Sequence, residues 1–157
     1  VSREDAPRVE LPPLPLAAWK ETKTTLHLFC HSFDLALTRF NGARRPEMPE
    51  ADPVSKEAYY HEVVSFGFWV GDENIPEPAF YSYTHPEPEG ITQRDLDGPG
   101  AEWHDTGRGH LALLRWKKLR GSDDPRSDLL DFLESAHGVG AGLRGWPVES
   151  LRIPRSA

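Results

Sequence analysis

The chain of 157 residues has one cysteine, one methionine and no apolar run near the 18 or so residues that cross a membrane. Cys30 alone excludes an intramolecular disulfide, and without an apolar leader the chain reads as cytoplasmic. Cations are scarce: 18 Lys and Arg stand against 25 Asp and Glu, a formal net charge of -7. A general nucleic-acid binder needs clustered cations to neutralise phosphates, so neither a nucleic-acid nor a membrane partner is expected. The one basic run, Arg115-Trp116-Lys117-Lys118-Leu119-Arg120, is short. A glycine-rich phosphate loop is also lacking, since GRGH at 107–110 has no lysine at the P-loop position, and no HExxH pair occurs.

What remains fits one domain, with a flexible tail at 1–10 and a single α+β unit over 11–157. A chain of this length buries roughly two-thirds of its unfolded surface. The spacing of Leu16, Trp19 and Lys23 predicts a helix from Leu16 to about His27. Ser32 to Phe40 then alternates, with Phe33, Leu35 and Leu37 on one side and Asp34, Ala36 and Thr38 on the other. Asn41-Gly42 is a turn signal, and residues 43–55, with three prolines, read as an exposed loop. A strand over about Tyr60 to Val70 puts Glu62, Val64, Phe66, Phe68 and Val70 on one face. His61, Val63, Ser65, Gly67 and Trp69 take the other.

Ala79 to His85 is the next strand, with Tyr81, Tyr83 and His85 sharing a face, and Pro86-Glu87-Pro88-Glu89-Gly90 stops it. Residues 91–109 are loop-like, and His110 to Trp116 forms a further strand. Asp124-Pro125 opens a helix whose buried stripe is Leu129, Phe132, Leu133 and Ala136, ending at Gly138 or continuing through Gly140 and Gly142. Pro147 to Leu151 adds a last helical turn. The sum is an antiparallel sheet of about four or five strands packed against an N-terminal and a C-terminal helix.

Several blocks resemble a known family. LPPLPLAAWKETKTTLHLF is similar to the N-terminal opening of the bacterial domain of unknown function 5996. HSFDLALTRFNG, AYYHEV-x3-GFWVG, EPAFYSYTHPEPEG and DLLDFLESAHG resemble blocks of its C-terminal half. The resemblance implies no activity. It does imply that longer members contain two similar lobes, so a single lobe leaves a partner surface that a homodimer would cover. Cys30, His31 and His110 depart from the family's pattern, so a site built on either histidine would be particular to this chain.

The stretch from Glu57 to Gly90 holds eight of the 16 aromatic residues (Trp 5, Tyr 4, Phe 7) and the candidate chemistry. Glu62, beside Val64 and Phe66, is a candidate general base, because desolvation raises a carboxyl's pKa unless a cation or donor sits nearby. The bland alternative pairs it with Arg39 or Arg44. His61 lies on the opposite face of a regular strand and is either a catalytic or a structural histidine. Asp34 either orients a histidine or pairs with Arg39. Tyr81, Tyr83 and His85, with Trp69 and Phe66, are candidate walls of a small-molecule pocket. His27 and His31, four apart, form a candidate metal pair with Glu62 or His61 as third ligand, so a divalent metal is an option although no cofactor is required. Cys30 reads as a core thiol, and His104 and His137 as surface histidines.

Two functions fit. One is a small enzyme, cofactor-independent or metal-assisted, in which Glu62, His61 and Asp34 handle protons beside an aromatic pocket. Cyclisation, isomerisation, elimination and hydrolysis all suit it. The other is a non-catalytic homodimer that binds a small ligand or a protein partner. The carboxylate in an apolar strand tilts the reading toward the enzyme.

Overall fold

The structure, a computed structural model, describes residues 22–23, 26–44 and 61–148. The strands are β1 (Thr22–Lys23), β2 (His27–Phe29), β3 (Asp34–Arg44), β4 (His61–Trp69), β5 (Ala79–His85), β6 (Glu102–Asp105) and β7 (His110–Arg115). A short helix α1 (Trp116–Leu119) and a long one, α2 (Pro125–Leu143), follow. The described strands form one antiparallel sheet in the order β1-β3-β4-β5-β7-β6, with β2 also paired to β3. The expected α+β architecture is the observed one.

Period-two alternation gives the sheet two unlike faces. Register places Leu35, Leu37 and Arg39 beside Phe68, Phe66 and Val64, which in turn neighbour Phe80, Ser82 and Thr84. This first face receives α2. The second face carries Asp34, Ala36 and Thr38 on β3, Ser65, Gly67 and Trp69 on β4, and Tyr81 and Tyr83 on β5.

α2 begins as its sequence requires. The Asp124 side chain accepts the Ser127 N–H at 3.0 Å, and Pro125 occupies the first turn, where its missing N–H costs nothing. Phe132 and Ala136 then pack with Ala112, Leu114 and Leu119, all at most 2% exposed. Burial of each large side chain there contributes about 1.5–3 kcal/mol. The helix runs on through three glycines because the packing needs one of them: a Cβ on Gly140 would collide with the Thr84 side chain of β5. It stops at Gly145, whose φ of 73° is the left-handed conformation glycine adopts readily. Trp146 N–H donates to Ala141 O at 2.9 Å and Gly145 N–H to Gly142 O at 3.0 Å, the two reversed bonds of a Schellman motif. That ending turns Trp146 back against Ala141, Val64 and Phe66.

Some sequence expectations need correction. Thr22–Lys23 and His27–Phe29 are strand, so a helix from Leu16 cannot reach His27; residues 16–21 lie outside the described residues. Pairing with β3 overrides local helical spacing there. Asn41-Gly42 is not a hairpin turn: β3 continues to Arg44 through a register shift after Phe40, a bulge. The loop expected at 43–55 therefore starts later, and from residue 45 it lies outside the described residues, as does the tail at 1–10. Within the supposed loop at 91–109, Glu102–Asp105 pairs with β7. Cys30 is exposed in the β2–β3 turn instead of lying in the core, and His137 is 3% exposed instead of superficial. The final turn expected over Pro147–Leu151 lies almost wholly outside the described residues.

Candidate functional site

Two carboxylates enter the sheet from opposite sides. Glu62 opens β4 on the helix-covered face, beneath the C-terminal end of α2. The Schellman ending brings two donors to it: the Arg144 guanidinium bonds Oε1, and Trp146 Nε1–H donates to Oε2 at 2.9 Å. Asn41 Nδ2 adds a third at 2.6 Å from the bulge of β3. Burial pushes the Glu62 carboxyl up, but the Arg144 and Trp146 hydrogen bonds, the Arg144 charge and Asn41 together outweigh it. The carboxyl is held below the ordinary glutamate value. The cation that reaches Glu62 is Arg144. Arg39, 5% exposed, lies over the Phe66 ring at 5.8 Å. His137 completes the cluster, with its ring 6.1 Å from those of Phe66 and Trp146.

On the other face the centre is Asp34 at the start of β3. Tyr81 on β5 is two strands away, yet its hydroxyl donates to Asp34 Oδ1 at 2.9 Å, with Oδ2 at 3.1 Å. The intervening residue on β4 makes this reach possible. Gly67 pairs directly with Tyr81, and any Cβ there would overlap the ring, so the phenol lies across a glycine slot. Trp69 meets Tyr81 edge-on with centroids 5.2 Å apart, and Tyr83 lies parallel to it at 6.4 Å. Burial, and then the adjacent Asp34 charge, push the Tyr81 phenol well above the ordinary tyrosine value. It keeps its proton near neutral pH and is a fixed hydrogen-bond donor to Asp34. Among the described residues, Asp34 accepts from Tyr81 alone and no Lys, Arg or His pairs with it.

The remaining candidates fall around these two centres. His85 shares the face of Tyr81, but it lies four positions further on, about 13 Å along a strand. His61 opens β4, in register with Arg44 on β3. Phe66 belongs to the Glu62 side and shares no wall with Tyr81. His27 and His31 are exposed and flank Phe29, with ring centroids 6.3 and 6.2 Å from it. No group of three His, Cys, Asp or Glu side chains able to hold a metal occurs among the described residues. Likewise, no described helix is long and apolar enough to cross a membrane.

Sequence reasoning missed Arg144 and Trp146. Gly145 followed by Trp146-Pro147 is a recognisable helix stop, and reading it would have decided between an end at Gly138 and the observed continuation through Gly140 and Gly142. It also missed the role of Glu87, in the PEPEG segment. Glu87 accepts the His110 backbone N–H at 2.5 Å, and the other carboxylate oxygen lies 2.8 Å from His110 Nδ1. That segment is thereby latched to β7. A solvent-open groove of about 510 Å³ runs along the outside of α2, lined by residues such as Arg94, Asp97, Asp131 and Glu134. None of the predicted site residues borders it.

The fold and the site define an α+β protein: one antiparallel sheet with a helix fixed across one face and a tyrosine–carboxylate cluster on the other. A family model, described as Family of unknown function (DUF5996), matches residues 26–153. The chain belongs to that family. No curated protein and no solved structure matches it.

Proposed function

We propose that the protein is a non-catalytic, homodimeric binding domain whose aromatic sheet face holds a small organic cation. The carrying observation is Asp34: a half-buried carboxylate without a cationic partner among the described residues, set beside Tyr81, Tyr83 and Trp69. A carboxylate in that setting gains from a positive charge, and aromatic faces attract ammonium or guanidinium groups. Tyr81 occupies part of the Asp34 acceptor capacity and fixes its orientation, leaving lone pairs for a ligand N–H.

Acid–base catalysis has less support. A general base near neutral pH needs a raised carboxyl pKa, and Glu62 is shifted the other way by three donors. Tyr81 is likewise poorly suited to give up its proton. Glu62 and Asp34 also sit on opposite faces, so they do not act on one substrate atom together. A single cysteine suits a reducing compartment, and the proposed location is the cytoplasm. The homodimer is proposed because Leu28, Phe29, Phe33, Val70 and Trp116 stand 42–65% exposed.

Calorimetric titration tests the ligand reading. Benzylammonium, an amine carrying one aromatic ring, is expected to bind saturably, and benzyl alcohol, its neutral analogue, at least about tenfold more weakly. Equal binding of the two, or none of either, rejects the reading.

A further inference from the structure

Tyr81 meets Asp34 in a way that bears on which cation can follow it. Its hydroxyl oxygen lies 2.9 Å from Oδ1 and 3.1 Å from Oδ2, hydrogen-bonded to both. An atom nearly equidistant from the two oxygens, and bonded to each, stands in front of the edge between them. That edge is where a guanidinium forks, because its two parallel N–H groups need both oxygens from one side. The phenol holds this place firmly. Its ring lies across the Gly67 slot and is 7% exposed. Burial and the Asp34 charge push its pKa up, so the hydroxyl keeps its proton and its bond near neutral pH.

The neighbouring rings close a second way of holding a flat cation. Tyr81 and Tyr83 are parallel to within 8°, with centroids 6.4 Å apart. The gap between parallel planes cannot exceed the distance between their centres. A group stacked between two rings needs about 7 Å, twice the closest carbon contact of about 3.5 Å. Trp69 stands at 69° to Tyr81, so that pair offers no parallel slot either.

What stays open at Asp34 suits a point donor. Each carboxylate oxygen keeps a lone pair on the side away from the shared edge, and a single N–H reaches one of these without the other. Rings flank Asp34 across the sheet: Phe29 pairs with it on β2, and Trp69 stands one step beyond the Leu35–Phe68 pair on β4. Phe29 is 46% exposed and Trp69 partly so, and a cation within about 6 Å of a ring centre is attracted to it. One effect opposes an ammonium, which is more strongly hydrated than a guanidinium. Asp34 is only half-buried, so an ammonium there keeps water on its other N–H groups.

We infer that Tyr81 makes the Asp34 site selective for a protonated amine over a guanidine, by taking the forked edge of the carboxylate and leaving single lone pairs. This selectivity rests on the cation-binding reading proposed above and narrows its ligand to a primary or secondary amine. Tyr81 is its specificity-determining residue, and Phe29 joins Trp69 as a wall.

Titration calorimetry on the whole chain tests it with benzylammonium and benzylguanidinium, which share a ring and differ in the cationic head. Wild type is expected to bind benzylammonium at least about tenfold more tightly. Tyr81→Phe keeps the ring but removes the hydroxyl, and the freed carboxyl can turn its edge to the ligand about a broad torsion. The preference should then shrink at least about tenfold. A merely structural role would weaken both ligands alike and leave their ratio unmoved. A wild type that binds the guanidinium as well as the ammonium, or better, overturns the selectivity and leaves the cation reading standing. A ratio unchanged by Tyr81→Phe overturns the role of Tyr81. If neither ligand binds wild type, the cation reading falls and the selectivity with it. Should Tyr81→Phe fail to fold, the wild-type ratio decides alone.

Discussion

Glu62 and Asp34 are both acidic residues at strand starts in one sheet, on opposite faces, and one difference between their surroundings matters most. Glu62 has a cation: Arg144 reaches it from the helix end, with Trp146 and Asn41 completing its bonds. Among the described residues, Asp34 has only a phenol, Tyr81. The first arrangement closes on itself and ties α2 to β4. The second leaves a carboxylate beside aromatic rings with no cation paired to it among the described residues. The presence or absence of a cationic partner among the described residues separates the two carboxylates, and the proposal that Asp34 holds a ligand rests on that difference.

Substitutions can break this comparison. The largest stability loss is expected for Gly67→Ala. The new methyl overlaps the Tyr81 ring, forces it from its slot and breaks its bond to Asp34, at about 3 kcal/mol by chemical denaturation. Glu62→Gln comes next. It strands Arg144, which is 30% exposed, so the cost falls from the fully buried range to about 2 kcal/mol.

The same carboxylate predicts a pH dependence. Its pKa is lower in the folded than in the unfolded chain, so the unfolded state takes up the proton first as pH falls. The Glu62 contribution is complete above roughly pH 5 and is lost progressively below about pH 4. Melting curves across that range should show a shallower acid slope for Glu62→Gln than for wild type. Tyr81→Phe removes one hydrogen bond and should cost about 1 kcal/mol. Asp34→Asn keeps an acceptor for Tyr81, and its effect on stability should stay within about 0.5 kcal/mol.

Much of the fold was legible because it is written in alternation. β5 has the expected bounds, and the face assignment of β4 and its neighbours followed from parity alone. The N-terminal segment was not legible in the same way: its local spacing is helical, while Thr22–Lys23 and His27–Phe29 take their conformation from pairing with β3. For the site, the residues Asp34, Tyr81, Tyr83 and Trp69 were readable, but their convergence was not. It depends on Gly67, whose meaning appears only when Tyr81 is known to lie opposite. The Glu62 partners were hidden for a different reason. Arg144 and Trp146 are more than 80 positions away and arrive through a helix ending, so no local pattern around Glu62 contains them.

Nuclear magnetic resonance of the Trp69 indole during benzylammonium titration tests the distinction between the two carboxylates most directly. Wild type and Glu62→Gln should show the same saturable shift, and Asp34→Asn should lose at least about tenfold in affinity. A shift abolished by Glu62→Gln and untouched by Asp34→Asn would contradict the account.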